Sequence, residues 1–198
     1  MYILIDNYDS FVYNIAAYFE KLGVDIIVKS VDDITIQEIE SLNVSGIILS
    51  PGPGNPSKYV ALLNIIDVFK GKIPILGICL GHQVIGYYFG FNIIKGNKPM
   101  HGKISWIQNN GKSLFKGLPK NFKVTRYHSL VIDNTIDSIP FEVDALSEDG
   151  VIMAITHNKF PIYGIQFHPE AVLTEYGYDV IRNYISICDT WRDRNENN

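Results

Sequence analysis

Cysteine is scarce in this chain of 198 residues: there are two, Cys79 and Cys188, far apart in sequence. So small a number excludes the disulfide framework of a small secreted domain and fits a reducing compartment. Basic residues are not in excess either. Seventeen Lys and Arg against 21 Asp and Glu leave a formal charge of −4, so no basic surface is available to track a phosphate backbone and nucleic acid is not an expected partner. Long apolar runs are missing as well, since none approaches the roughly 20 residues needed to cross a bilayer. The opening Met1-Tyr2-Ile3-Leu4-Ile5-Asp6 lacks a basic region, and its apolar stretch is too short for a secretory signal. These absences predict a soluble, cytoplasmic protein that handles a small ligand away from membranes. No repeat, linker or low-complexity tract marks a second domain, and 46% hydrophobic content is enough for one core of this length. We expect a single domain over residues 1–191 and a frayed polar tail over 192–198.

Short apolar runs alternate with amphipathic stretches through the first half, the pattern of βαβ units around a parallel sheet. Tyr2 to Ile5, Asp25 to Lys29, Gly46 to Leu49 and the run Ile73 to Ile78 read as strands. Between them, Ser10 is placed to cap a helix whose inward positions are Phe11, Ile15, Phe19 and Leu22, with Gly23 ending it. Thr35 and Glu38 have capping-box spacing, and Val60 to Phe69 and His82 to Phe89 read as helices. Beyond Phe89 the texture changes to shorter alternating segments, Lys103 to Ile107, Phe122 to Arg126, Phe141 to Ala145, Val151 to Ile155 and Ile162 to Phe167. These predict partly antiparallel strands. A last helix carries Val180, Ile181, Tyr184, Ile185 and Cys188 on one face, which makes Cys188 a core residue. The fold class is therefore α/β, with a mostly parallel central sheet flanked by helices and an additional smaller, partly antiparallel sheet.

The chemistry concentrates in Gly77-Ile78-Cys79-Leu80-Gly81, where an apolar strand stops at a thiol between two glycines. A sharp strand-to-helix turn of this kind lifts its central side chain out of the sheet, as in a nucleophile elbow. Such a thiol needs a base, and the base needs an orienting group. His168 ends the apolar run Ile162 to Phe167 and is followed by Pro169 and Glu170. Residues two apart in an extended chain face one side, so His168 and Glu170 can address one site. The loop Ser50-Pro51-Gly52-Pro53-Gly54-Asn55-Pro56 follows a strand and leaves backbone N–H groups free to meet an oxyanion, with the Leu80 amide as a second donor. It has neither the lysine of a P-loop nor G-x-G-x-x-G spacing. His82 lies three residues after Cys79, but no further ligands complete a tetrahedral set and no metal site is expected. His101 and His128 lie in turn-like stretches, where spacing alone leaves a cleft role and a solvated one equally open. Residue types alone reach as far as acyl transfer or hydrolysis by Cys79, His168 and Glu170.

Gly77 to Gln83, Pro51-Gly52-Pro53-Gly54, Thr125-Arg126-Tyr127-His128-Ser129-Leu130 and Gly164 to Glu170 together resemble the class I glutamine amidotransferases, whose fold is flavodoxin-like. Ile5-Asp6-Asn7-Tyr8-Asp9-Ser10-Phe11 and Met100-His101-Gly102-Lys103 resemble the chorismate-amination group, component II of anthranilate synthase or aminodeoxychorismate synthase. The resemblance implies hydrolysis of L-glutamine by Cys79, His168 and Glu170. It assigns Gly52, Pro53, Gly54 and Leu80 to the oxyanion and glutamine pocket, and Gln83, Ser129 and Leu130 to the amino-acid end of the substrate. It also implies a hetero-oligomer with a chorismate-utilising component I that carries any magnesium, and no cofactor in this chain. Tryptophan biosynthesis is the first expectation and folate biosynthesis the alternative; the remaining rivals are a GMP synthase glutaminase and a non-catalytic regulatory subunit. Two departures stand out: Ala171, where relatives commonly carry serine, and Gln108-Asn109-Asn110-Gly111, where they often carry histidine before the turn.

Overall fold

The computed structural model describes residues 1–133, 135 and 140–196. In chain order its elements are β1 (Tyr2–Asp6), α1 (Val12–Lys21), β2 (Ile26–Ser30), α2 (Ile36–Leu42), β3 (Gly46–Leu49), α3 (Val60–Phe69), β4 (Ile75–Ile78) and α4 (Leu80–Tyr88). There follow β5 (Ile93–Lys95), β6 (Lys103–Asn109), β7 (Asn121–Arg126), β8 (Leu130–Ile132), β9 (Phe141–Ser147), β10 (Ile152–His157), β11 (Ile162–Ile165) and α5 (Gly177–Glu196). One sheet runs in the order β2-β1-β3-β4-β11-β10-β9-β6-β7, and a two-stranded sheet pairs β5 with β8. The first half, β2 to β11 across the sheet, is parallel. From β11 outward every pairing is antiparallel. The late alternating segments thus extend the parallel sheet edge to edge, and the separate smaller sheet is the β5–β8 pair.

Helices cover both faces of the parallel half. Along β1, Tyr2 and Leu4 join a core with Val12, Ile15 and Phe19 of α1 and Val180, Ile181 and Tyr184 of α5. Ile3 and Ile5, on the opposite face, join Ile39 of α2, Ile66 of α3 and Val84 of α4. Continuous apolar runs in β1, β3 and β4 are what a strand buried on both faces requires. The predicted capping box of α2 is present, with both Thr35 and Glu38 contacts made. α1 departs from expectation: Phe11 precedes the helix with no side-chain cap, and Asp9 accepts the Phe11 N–H at 2.9 Å in place of a Ser10 cap. Phe11 therefore points outward, 45% exposed, with its ring against Tyr127. The final helix runs five residues into the segment read as a frayed tail, and the tail's Asn197 and Asn198 lie outside the described residues. Asn109, in the second of the two departures, is buried and donates to the Pro119 and Lys120 carbonyls, so its side chain closes the turn. No helix of the described residues is long and apolar enough to cross a membrane.

Ile181 is fully buried between α5 and the sheet. Ile181→Ala is expected to cost about 2–5 kcal/mol, read as a lower urea midpoint with unchanged slope, while Val172→Ala at a 96% exposed position shifts stability by less than about 0.5 kcal/mol.

Candidate active site

β4 delivers Cys79 to the start of α4 in a conformation few side chains adopt, φ 52° and ψ −99°. Backbone strain of this kind costs on the order of 1–3 kcal/mol and persists only where the surroundings enforce it. Here the enforcement is close packing of main chain on main chain. A methyl group on Gly77 would lie 2.4 Å from the Gly81 carbonyl carbon, and one on Gly81 would lie 2.3 Å from the Leu49 carbonyl oxygen. The two glycines that flank the thiol in sequence are thus what lets α4 start against β3 and β4.

β11 lies parallel to β4 with Ile165 beside Ile78, and the Cys79 N–H donates to the Ile165 carbonyl at 2.8 Å. The chain leaving β11 therefore rises alongside the thiol. His168 and Glu170 meet on that extension, with Nδ1 2.6 Å from Oε1, both nearly enclosed at 2% and 5% exposure. Nδ1 being taken, Nε2 is the ring nitrogen left free, buried and without a hydrogen-bond partner. Burial alone would lower the His168 pKa; interaction with Cys79 and then with Glu170 overrides it and holds the ring well above its usual value. His168 is tied down further by its own backbone, its N–H donating to the Thr125 carbonyl at 3.1 Å and its carbonyl accepting from Thr174 Oγ1 at 2.7 Å. That threonine hydroxyl acts on the strand end next to Ala171, where the expected serine is missing. Behind the pair, Gly177 at the head of α5 would place a methyl only 1.9 Å from the Pro169 carbonyl oxygen.

The remaining expected residues fall around this centre unevenly. Leu80 is buried in the first turn of α4, where helix N–H groups have no partner inside the helix. Gly52 is half-buried against Asn7 and the Leu80 side chain. Pro53 and Gly54 lie on the exposed rim, with the Pro53 carbonyl accepting from the Tyr59 hydroxyl at 2.6 Å. The loop is anchored from below by Asn7, whose N–H donates to Ser50 Oγ and whose side-chain amide donates to the Ser50 carbonyl. Gln83 is buried and donates to the Leu130 carbonyl at 2.8 Å; Ser129 is exposed and Leu130 half-buried. His82 is fully buried beside Gly164 and burial pushes its pKa down to about 3, so it packs as a neutral ring. His101 is exposed with its ring edge-on to Tyr127, whereas His128 is buried. Gln166 was not among the expected site residues, yet its Nε2 donates to Cys79 Sγ at 3.6 Å. Alternation along an extended strand carries the signal for it, because Gly164, Gln166 and His168 share one side. Cys188 is buried and free, its pKa pushed up to about 12 mainly by burial. Among the described residues no group of three or more His, Cys, Asp or Glu gathers to hold a metal ion.

A family model described as Glutamine amidotransferase class-I matches residues 3–187. The chain belongs to the class-I glutamine amidotransferase family. It is 51% identical over 191 residues to Anthranilate synthase component 2 of Saccharolobus solfataricus, covering 93% of this chain and 97% of that protein. It is 46% identical over 185 residues to Aminodeoxychorismate/anthranilate synthase component 2 of Bacillus subtilis, covering 93% and 95%. A longer relative, Bifunctional protein TrpGD of Thermotoga maritima, is 48% identical over 189 residues, 94% of this chain but 32% of that protein. A crystal structure described as that of a GMP synthase subunit from Thermoplasma acidophilum superposes with a TM-score of 0.87 at 31% identity, covering 99% of this chain and 98% of that one. This amidotransferase thus carries the fold of its family across nearly its whole length.

Because the folded His168 ring holds its proton more tightly than the unfolded chain does, it stabilises the fold below about pH 6.5, and that contribution is lost as pH rises through the higher folded value. Glu170→Gln removes one of the two supports for the charged ring. The His168 titration midpoint, followed by NMR of the ring proton, is expected to lie above 6.5 in the native chain and to drop in the variant; an unchanged midpoint would count against the coupling.

Proposed function

We propose that this chain is the glutaminase subunit of a chorismate-aminating synthase, with Cys79 as nucleophile, His168 as general acid and base, and Glu170 as the group that orients the ring. The observation that carries the reading is the Cys79, His168 and Glu170 constellation, in which strained backbone presents a thiol to an imidazole whose far side is clamped by a carboxylate. In the first half-reaction the Cys79 thiolate, its proton already held by His168, bonds through sulfur to the side-chain amide carbon of glutamine, and the carbonyl becomes an oxyanion. The Leu80 N–H and the backbone of the Gly52-Pro53-Gly54 loop are assigned to that charge, and one such donor typically lowers the barrier by about 3 kcal/mol. Collapse breaks the carbon–nitrogen bond while His168 returns its proton to the departing ammonia. In the second half-reaction His168 deprotonates a water, which displaces sulfur from the γ-glutamyl thioester and releases glutamate. Gln83, Ser129 and Leu130 are assigned to the amino-acid end of the substrate.

The destination of the ammonia is read from the relatives' names, which belong to second components of synthases. A chorismate-utilising component I would form a hetero-oligomer with this chain, receive ammonia and carry the magnesium that such a reaction uses. Anthranilate, and hence tryptophan biosynthesis, is our first assignment. Aminodeoxychorismate is the second, supported by the dual name of the Bacillus subtilis relative. Reduced cysteines fit the cytoplasm. The GMP synthase alternative is favoured only by the shared fold, and the Pro51-Gly52-Pro53-Gly54 loop and Arg126 to Leu130 segment favour the chorismate group over it. Enclosure of the nucleophile, 6% exposed with its base at 2%, fits a subunit whose site opens fully only against its partner.

Cys79→Ser is expected to abolish glutamine-dependent amination in the reconstituted complex and to spare synthesis from ammonium; equal loss with both nitrogen sources would sink the division of labour. Identifying the aminated product with each candidate component I separates the two chorismate assignments. The isolated chain is expected to release glutamate from glutamine more slowly than the complex, and equal turnover would refute the role given to partner contact.

A further inference from the structure

Arg126 is among the largest fully buried side chains of the described residues, 1% exposed near the end of β7. A guanidinium keeps its charge under any condition, so burying it is costly unless every donor finds an acceptor. Its Nη1 donates to Asp149 Oδ1 at 2.8 Å and to Ser105 Oγ at 3.1 Å. Its Nε donates to His128 Nε2 at 3.0 Å. That last bond decides the chemistry of His128: a nitrogen that accepts from a guanidinium cannot carry a proton, so the neutral ring bears its hydrogen on Nδ1. Burial first, and Arg126 second, push the His128 pKa down to about 4, which keeps this tautomer in place at neutral pH.

Nδ1 is itself buried and has no hydrogen-bond partner. The backbone runs on two residues from His128 to Leu130, the first residue of β8, whose carbonyl accepts from Gln83 Nε2 at 2.8 Å. Gln83 Nε2 also donates to Gln166 Oε1 at 3.0 Å, and Gln166 Nε2 donates to Cys79 Sγ at 3.6 Å. The donor and acceptor senses are consistent at each step, which leaves each amide a single workable orientation.

We propose that Arg126 and His128 are positioning residues for the nucleophile, acting through the backbone that joins them to Leu130 and through a buried polar chain that runs on from the Leu130 carbonyl by way of Gln83 and Gln166 to the Cys79 sulfur. The reading rests on Cys79 being the nucleophile. Its physical content is orientation: with the His128 ring pinned by Arg126, which is itself held by Asp149, the backbone leading into β8 stays where Gln83 can reach the Leu130 carbonyl, Gln83 in turn fixes which end of the Gln166 amide faces the thiol, and an N–H directed at sulfur fixes where the thiol lies. No proton needs to move along the chain. The Asp149 end lies in the turn between β9 and β10, 27% exposed at its side chain, so the chain links a surface turn on the antiparallel half of the sheet to the elbow on the parallel half.

The test compares His128→Gln, which keeps an acceptor for the Arg126 Nε–H near where Nε2 stands, with His128→Leu, which removes it at similar volume. Both are made in the full chain carrying Cys188→Ala, with circular dichroism used to establish folding. The readouts are the rate of Cys79 alkylation by iodoacetamide across pH and kcat for glutamate release from glutamine. His128→Leu is expected to slow both by roughly 10-fold or more, the scale of a sub-ångström misplacement of reacting groups, and His128→Gln to recover most of the loss. Asp149→Ala, at the surface turn where folding is least at risk, is expected to slow alkylation in the same direction. Equal losses in the Gln and Leu variants would make His128 a space-filling residue and overturn the proposal, as would unchanged alkylation in all three. If instead Cys79→Ser still releases glutamate, the nucleophile assignment itself fails and the chain loses its purpose with it.

Discussion

The hydrogen bond from the Cys79 N–H to the Ile165 carbonyl, 2.8 Å long, carries the pairing of β4 and β11 one residue past the end of β4. Everything at the site takes its position from that pairing. Since residues of a strand alternate between faces, a slip of one residue would turn Gln166 and His168 away from the thiol and present Ile165 and Phe167, both now buried in the core, to the cleft. The register is specified by those apolar neighbours: Ile165 and Phe167 pack with the α1 and α5 core, and exposing them would forfeit roughly 2 kcal/mol each. Hydrophobic burial, which has no directional preference of its own, thus fixes the direction in which Gln166 and His168 point.

The groups assembled there are individually unfavourable. Cys79 holds a strained φ, His168 and Glu170 are an ionisable pair taken almost wholly out of water, and Glu170 Oε2 is buried with no partner. Each is tolerable because a neighbour compensates. The imidazole and carboxylate satisfy one another at Nδ1 and Oε1, and the backbone of His168 is fixed on both sides by Thr125 and Thr174. The elbow is locked by main-chain packing at Gly77 and Gly81 and cannot relax without moving β3. Removing one partner of a buried pair is more costly than never having built it, so the site is stable as a set and fragile in its parts.

Local signals made the parallel half legible. Apolar runs of four to six residues marked β1, β3 and β4, the Thr35 and Glu38 spacing marked α2, and the two glycines around Cys79 marked the elbow. The His168 and Glu170 pair could be read from their two-residue separation, because alternation along a strand is a purely local rule. Legibility failed where a contact joins distant segments. Gln83 and Gln166 are 83 residues apart, and nothing in either neighbourhood announces their bond. Arg126 reads as an ordinary strand-end charge until Asp149, Ser105 and His128 converge on it. Ser10 had the right chemistry for a cap, but Asp9 reached the Phe11 N–H first. The β5–β8 pair was invisible because each strand has only three residues, too few to display a period.

Packing of Gly177 against Pro169 brings the last helix of the chain into the same assembly as its first βα units. Synthesis proceeds from the N-terminus, so the thiol at position 79 leaves the ribosome well before the imidazole, the carboxylate and the helix that backs them. During that interval Cys79 stands without His168 and Glu170 beside it. Those two come into place only when β11 inserts between β4 and β10 and α5 closes behind it. Assembly of the three groups is therefore deferred by topology until β11 and α5 have emerged, and a product truncated before them would leave Cys79 without the imidazole.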